Sequence, residues 1–564
     1  MQVAMAAGDI SLFVLLLAIP IVLFFTIRRS GQPRGAGGKG RLPPGPWALP
    51  VIGHLHHLAG DLPHRALRAL ARRHGPLMLL RLGELQAVVA SSPDAAREIM
   101  KTHDAAFASR PLSSMQRLAY QDALGIIFAP YGDGWRQLRK ICTVELLSAR
   151  RVQSFRPVRE GELGRLLRSV AEASVRGNNK KLWILEQEQP AEPPPPEFIS
   201  LFLLHQLTAA SLTASSPPSS SPVNLTELIT AFVADSTVRA IIGNRFEERD
   251  AYLRMLQAGL KIVPGMTMPD LFPSSRLALL VSRIPGRIER NRQAMQHFID
   301  TIMEQHQEKR AASAGAGAGA EDEDLLDVLL KLQKEMDFQP PLTTANIKTV
   351  MLDLFGAGSE TSATTLQWLM AELMRNPRVM HKAQAEVRRE LAGHDKVTEA
   401  SLSNLPYLRL VIKETLRLHP PAPLLLPRKC GSQCQILGFD IPESAMVIVN
   451  AWAIGRDPAH WHKPDEFMPE RFQHSEARDF KGADFEFIPF GAGRRICPGM
   501  AFGLAHVELA LAALLYHFDW ELPGAMAVED LDMTEDFGVT TQRRSDLLLL
   551  ALPRVPLPTE KTPA

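Results

Sequence analysis

One stretch near the C-terminus restricts the fold more than any other. It reads Phe490-Gly491-Ala492-Gly493-Arg494-Arg495-Ile496-Cys497-Pro498-Gly499 and runs straight into the apolar segment Met500 to Phe518. That segment has the composition of a buried helix, so Cys497 lies near a helix N-terminus. There the helix dipole lowers a thiol's pKa and favours the thiolate. Glycines allow backbone N–H groups to approach the sulfur, and Arg495 adds a cation. The loop therefore reads as the seat of a metal-ligating thiolate. The competing fate is an ordinary buried cysteine. A nucleotide loop fails, because Gly491-Ala492-Gly493 lacks the third glycine and follows no convincing strand.

Upstream, Thr344 to Met374 carries a helical stripe of Ile347, Val350, Met351, Leu354, Phe355 and Gly358. Its middle reads Gly356-Ala357-Gly358-Ser359-Glu360-Thr361. Each interior glycine costs about 1 kcal/mol relative to alanine, and a carboxylate beside a buried stripe costs more without a partner. The pattern predicts a local distortion that makes room for a small ligand, with Glu360 and Thr361 as proton-transfer groups. The alternative is tight helix packing with an exposed Glu360. Trp135 and Arg139 stand four apart on one helix face. Glu414 and Arg417 face each other at i, i+3, worth about 0.2–0.5 kcal/mol as a surface pair. Pro469-Glu470-Arg471-Phe472 falls in an irregular region. Cys430 and Cys434 have a spacing zinc could use but no second pair in register, and His54, His56 and His57 read as a surface cluster.

The N-terminus bears on location. Ile10 to Ile27 contains no charge, and its 18 residues span about 27 Å as a helix, close to a bilayer's hydrocarbon core. Only Asp9 is charged before the run, whereas Arg28, Arg29, Arg34, Lys39 and Arg41 follow it. That order is the reverse of a signal peptide's and predicts an uncleaved anchor (1–29) with the main chain in the cytosol. A basic, Pro-rich hinge follows (30–53), with Leu42-Pro43-Pro44-Gly45-Pro46 stiff and extended. Lys and Arg (63) nearly balance Asp and Glu (61), giving no reason to expect nucleic acid as partner. Four cysteines in 564 residues make no disulfide framework. Of the chain's 43 prolines, eight (Pro190, Pro193 to Pro196, Pro217, Pro218 and Pro222) fall in 177–222, a Pro- and Ser-rich stretch that cannot bury a core. Ala311 to Ala320 reads as a loop between two helices.

Phe490, Gly493, Arg495, Cys497 and Gly499 resemble the cysteine-loop pattern of the cytochrome P-450 haem-thiolate monooxygenases. Trp135/Arg139, Ala357 to Thr361, Glu414/Arg417 and Pro469 to Phe472 match further motifs of that family, in its order. The anchor, the Pro-rich hinge and Leu418-His419-Pro420-Pro421-Ala422-Pro423 resemble the plant endoplasmic-reticulum members of the A-type clan.

The resemblance implies a mainly α fold with small β-sheets, preceded by one N-terminal transmembrane helix. It implies a haem-thiolate domain over 54–564, interrupted at 177–222 by a disordered insertion or a retained intron. Cys497 would be the axial ligand of haem b, with Arg495, Trp135, Arg139 and Arg428 on the propionates and Phe490 and Gly493 shaping the loop. Thr361 and Glu360 match the acid–alcohol pair that delivers protons during O2 activation. Glu414, Arg417 and Arg471 match a structural triad. Substrate contacts are expected from Ala106 to Phe128, from the segment near Ile262 to Leu271, from the Ile347 to Ala357 face, from Ala422 to Leu426, and from Gly538 to Thr541. Electrons would come from NADPH through a separate NADPH–cytochrome P-450 reductase at the endoplasmic reticulum membrane. The substrate would be a hydrophobic plant metabolite. Met268 to Pro273 is similar to grass enzymes that oxidise diterpenes, with flavonoid, indole and sesquiterpene substrates as alternatives. An oxygen-independent haem-thiolate isomerase or dehydratase, or a non-catalytic membrane haem-binding protein, would not require Glu360-Thr361.

Overall fold

The computed structural model describes residues 41–120, 125–187, 221–243, 249–260, 267–315, 323–336, 338–394, 396–473 and 478–557. The expected anchor, hinge residues 30–40, and 188–220 of the Pro-rich stretch lie outside the described residues. The principal helices are α1 (Pro63–His74), α2 (Asp133–Ile141), α3 (Arg156–Gln187), α4 (Leu225–Ile242), α5 (Ile284–Gly315), α6 (Leu325–Glu335), α7 (Thr344–Arg375), α8 (Pro406–Leu418) and α9 (Met500–His517). The strands are β1 (Leu77–Leu82), β2 (Leu85–Ala90), β3 (Pro222–Asn224), β4 (Arg428–Lys429), β5 (Cys434–Ile436), β6 (Phe439–Ile441), β7 (Met446–Val449), β8 (Phe518–Glu521), β9 (Glu535–Phe537), β10 (Thr541–Arg543) and β11 (Leu548–Pro553).

The 32 residues of α7 span about 48 Å and form the axis of the molecule. Ile347, Val350, Met351, Leu354 and Phe355 are buried, as their spacing predicts. Further along, Ser362 to Met374 is buried on every side, between α4 and α9. The expected distortion is absent: α7 is continuous through Gly356 to Thr361. The glycine serves close packing instead, because a Cβ on Gly358 would stand 2.9 Å from Thr237 Cγ2 on α4. Helix α9 is long and apolar enough to cross a membrane, but it is mostly buried in the core and needs no bilayer.

Strands β1 and β2 form an antiparallel hairpin, turned at Gly83 with φ 63°. A Cβ there would fall 2.4 Å from the Leu271 carbonyl oxygen. Strand β2 pairs in parallel with β7 and β7 antiparallel with β4, giving a β1-β2-β7-β4 sheet. A β3-β11-β8 sheet and the hairpins β5–β6 and β9–β10 complete the strands described. The segment after Arg41 lies on β1, with Leu79 N donating to the Pro44 carbonyl at 2.9 Å. His54 is no surface residue. It is buried, its Nε2 lies 2.9 Å from the Pro46 carbonyl and its Nδ1 accepts from Arg81 N at 2.7 Å, so it fastens the hinge to the sheet. Helix α5 continues through Ala311 to Gly315, where a loop was expected.

Candidate active site

A cavity of about 550 Å³ opens along α7, walled by the cysteine loop, the 110–128 segment, the 421–428 loop and the turn at 538–541. Cys497, Arg495, Arg139, Arg428, Phe490, Glu360 and Thr361 all line it. Of the four cysteines only Cys497 does so.

Local backbone rules build the loop. Gly493 has φ 67°, and a Cβ on it would meet the Met100 carbonyl oxygen at 2.1 Å and Asp104 at 2.8 Å. No residue with a side chain fits. Cys497 N donates to the Phe490 carbonyl at 3.0 Å, and α9 starts three residues later. The expectation of a lowered thiol pKa needs correction. Burial raises it, and that outweighs the Gly499 N–H and Arg139, which act the other way. Metal coordination, which deprotonates a thiol outright, is what would secure the thiolate here.

Trp135 is buried under Arg495, whose guanidinium carbon lies 4.1 Å from the ring centroid, and its Nε1 donates to the Ile126 carbonyl at 2.9 Å. It supports the cavity without lining it. Arg495 also donates to Ala108 and Ile126 carbonyls at 2.6 and 3.1 Å. Arg428 donates to Asp104 at 3.1 Å and to the Ala492 carbonyl at 2.8 Å, and Arg139 donates to the Ile496 carbonyl. Arg110, which no motif announces, joins this group. It is buried and donates to the Leu426 and Pro427 carbonyls at 2.7 and 2.9 Å.

Among the described residues, the one carboxylate in an ion pair with any of these four guanidiniums is Asp104, which pairs with Arg428 and also with Arg494. Burial, then Arg428 and Arg139, push Arg495 down to about 9. Arg110 falls well below its ordinary value through burial and the neighbouring Arg495, Arg428 and Arg139. A surplus of buried guanidinium charge above a cavity-lining thiol fits a flat metal chelate bearing two carboxylates, so the donor set suits haem.

Glu360 is half-buried; its Oε1 accepts from Gln542 Nε2 at 2.9 Å and from Thr540 Oγ1. Burial raises its pKa, and these two bonds oppose that rise. Thr361 Oγ1 donates to the Ala357 carbonyl at 2.9 Å. Four of the five expected substrate segments reach the cavity, through residues such as Ile126, Phe128, Ala357, Leu425 and Val539. Leu425 does so with φ 49°, a left-handed backbone that a Leu adopts only when its surroundings impose it. The fifth is only partly described: residues 262–266 lie outside the described residues, and 267–271, absent from the cavity lining, pack on the β1–β2 turn. Gly83 presses against Leu271 there, and Met255, Leu256 and Gly259 supply that part of the wall.

Asp353 is a further lining group without a motif. It is buried, and its carboxylate accepts from Ile127 N at 3.2 Å, latching the 125–129 segment whose carbonyls hold Arg495 and Trp135. Burial pushes its pKa up to about 7. An acid whose folded pKa lies above its unfolded value destabilises the fold progressively as pH rises between the two. Asp353→Asn keeps an oxygen for Ile127 and removes the charge. Its Tm relative to the parent is expected to rise between pH 5 and pH 8, by an equivalent of about 2–3 kcal/mol. A Tm difference that is constant across that range would contradict the latch's charge.

The Glu414–Arg417 pair also differs from its surface reading. Both side chains are fully buried, with two bonds of 2.8 Å, and Arg471 Nε adds a third to Glu414 at 3.0 Å. Arg417 further donates to the Gly455 and Pro464 carbonyls at 2.6 Å. An aromatic series, Trp461, Phe472, Phe487, Phe480 and Phe490, with successive centroids 5.1–6.0 Å apart, leads from this triad to the cavity wall. Pro469–Phe472 is a 3-10 turn rather than irregular chain.

The sequence matches the family described as Cytochrome P450 over residues 43–182 and 202–549. It is 45% identical to a desmethyl-deoxy-podophyllotoxin synthase of Sinopodophyllum hexandrum, over 94% of each chain. It is 42% identical to a premnaspirodiene oxygenase of Hyoscyamus muticus (92% of this chain, 93% of that one). It is 44% identical to a salviol synthase of Salvia pomifera (97% and 99%). A solved zebra fish cytochrome P450 with abiraterone superposes with a TM-score of 0.66 at 22% identity, covering 87% of this chain and all of that one, and shares the fold.

Proposed function

The chain belongs to the cytochrome P450 family of monooxygenases, in its plant A-type branch, and from that premise we propose that it inserts one oxygen atom from O2 into a hydrophobic plant metabolite at the cavity above Cys497. The observation that carries this reading is the meeting, in one largely apolar cavity, of a thiol, a cluster of buried guanidiniums and the Glu360–Thr361 pair.

Haem b, when bound, would supply the redox and oxygen chemistry, and the Cys497 thiolate would ligate its iron. Arg110, Arg139, Arg428 and Arg495 would hold the propionates, with Trp135 bracing Arg495. Glu360 holds a proton at its carboxyl and Thr361 passes one at its hydroxyl, on the α7 face of the cavity. The apolar wall at Ile126, Phe128, Leu425 and Val539 excludes water and orients the substrate.

Electrons reach the site from NADPH through a separate membrane-bound reductase. The chain is anchored by residues 1–29 in the endoplasmic reticulum membrane with the catalytic domain in the cytosol. In support, exposed apolar residues flank both segments that the β1–β2 turn joins, Val51 beside Ile52 and Met268 close in sequence to Leu271, whose carbonyls accept from Gly83 N and Glu84 N. The substrate is a terpenoid, a diterpene in the first instance; the names of the premnaspirodiene and salviol enzymes point to related chemistry. Residues 177–222 are a disordered insertion or retained intron, with its ends ordered, since 177–187 continue α3 as helix and Pro222 opens β3. Ser221 N donates to the Ser174 carbonyl at 3.2 Å, so the chain returns to where it departs, and the family match skips 183–201.

Thr361→Ala tests the reading. With reductase, NADPH and a panel of terpenes and phenolics, it is expected to lower product formed per NADPH roughly tenfold or more while NADPH consumption continues. Coupling equal to the parent's would remove Thr361 from proton delivery.

A further inference from the structure

Glu360 is gripped from the far side of the chain. Thr540, the last residue of the β9–β10 turn, and Gln542 on β10 both donate to the same Glu360 oxygen. The grip has a rigid mount. Trp368 Nε1, two turns along α7 from Glu360, donates to the Thr541 carbonyl at 3.0 Å, and Thr541 N donates to the Pro421 carbonyl at 2.8 Å. Trp368 itself stacks on His419 with centroids 4.1 Å apart and planes 6° apart. The turn is closed by Gly538 N donating to the Thr540 carbonyl at 3.0 Å. Two of its three residues, Val539 and Thr540, line the cavity, as does Glu360.

We propose that Thr540 and Gln542 are positioning residues that hold the Glu360 carboxylate at the cavity wall, so that the turn touching the substrate through Val539 also sets the proton-delivering acid. This rests on the reading of Glu360 and Thr361 as the proton-delivering pair. It explains why a glutamate serves here, since aspartate would withdraw the carboxylate by one carbon–carbon bond, about 1.5 Å, and release both donors. Besides these two donors, the titratable group that bears on Glu360 among the described residues is the Tyr252 phenol, from the helix Arg249–Leu260.

The test uses substrate-free ferric holoenzyme in an infrared titration of carboxyl groups, with the Glu360 band identified by its loss in Glu360→Gln. Both bonds favour the charged carboxylate, so Thr540→Val and Gln542→Leu are each expected to move the midpoint upward, while Thr540→Ser leaves it in place. On a terpene from the panel that the parent converts, the Val and Leu variants are expected to lose roughly tenfold in product per NADPH. Thr540→Ser is expected to restore it. Midpoints unmoved in Thr540→Val and Gln542→Leu would overturn the proposal, as would a midpoint that also moves in Thr540→Ser. If Glu360→Gln itself keeps parental coupling, the proton-delivery reading fails instead, and the infrared midpoints still decide the grip.

Discussion

Glu414→Ala is expected to cost about 3–5 kcal/mol of stability, the range found when one partner of a buried ion pair is removed. Against a typical net stability of about 5–15 kcal/mol, that leaves little folded protein at working temperature. The cost arises because three groups lose one acceptor. Arg417 keeps a guanidinium in full burial, Arg471 loses its bond of 3.0 Å, and Met468 N loses its bond of 2.8 Å. The carbonyls of Gly455, Pro464 and Glu466 still bind Arg417 but bring no negative charge. The loss should spread along the Trp461-to-Phe490 aromatic series, so the fraction of purified protein with a thiolate-type carbon-monoxide band should fall with stability. Glu466→Ala is the comparison, because Glu466 pairs with Lys463 through side chains about half exposed. It is expected to cost under about 1 kcal/mol. Chaotrope unfolding of both variants decides the matter, and equal losses would mean the triad carries no special burden.

How much of this was legible in the sequence depends on where each residue's partners lie. Gly493 announces itself because a tight loop must use glycine, and Trp135 and Arg139 because helical spacing puts them on one face. The ends of α7 and α9 follow the expected bounds within a residue, since their apolar patterns run unbroken. Glu414 and Arg417 were visible as a pair, but i, i+3 spacing carries no information on burial, and burial changes their worth about tenfold. Gly356 and Gly358 read as a local distortion of α7, whereas a Cβ clash with Thr237, on another helix, explains Gly358.

The polar roles of Arg110, Asp353, Thr540 and Gln542 stayed silent for one common reason, although the first three lie in segments expected to meet substrate. Their partners, Leu426, Ile127 and Glu360, lie 316, 226, 180 and 182 residues away, and each residue is unremarkable in its own segment. The Cys497 environment was misjudged in the opposite sense. Helix-end position is readable from sequence, while the desolvation that outweighs it belongs to the packed cavity. Surface location of His54 failed likewise, because its acceptor and donor partners, Pro46 and Arg81, become neighbours only when the hinge folds along β1.

Cys497→Ser carries the largest expected loss of function. The substitution exchanges one atom for a smaller one of the same valence, at a site where Cys497 N keeps its bond to Phe490 and Gly493 keeps the loop closed. The fold should therefore survive, with a stability change of about 1 kcal/mol or less. What disappears is the soft, electron-donating axial ligand; a serine hydroxyl neither ionises readily nor pushes charge as a thiolate does. Turnover is expected to fall at least about a thousandfold, equivalent to about 4 kcal/mol of barrier. The carbon-monoxide difference spectrum of the reduced protein should lose its thiolate-shifted band. Cys434→Ser, on a strand remote from the cavity lining, is expected to keep both band and turnover. The two variants together separate ligation from general thiol damage. A thiolate-shifted band that persists in Cys497→Ser and vanishes in Cys434→Ser would move the axial ligand out of the cavity and dismantle the site described above.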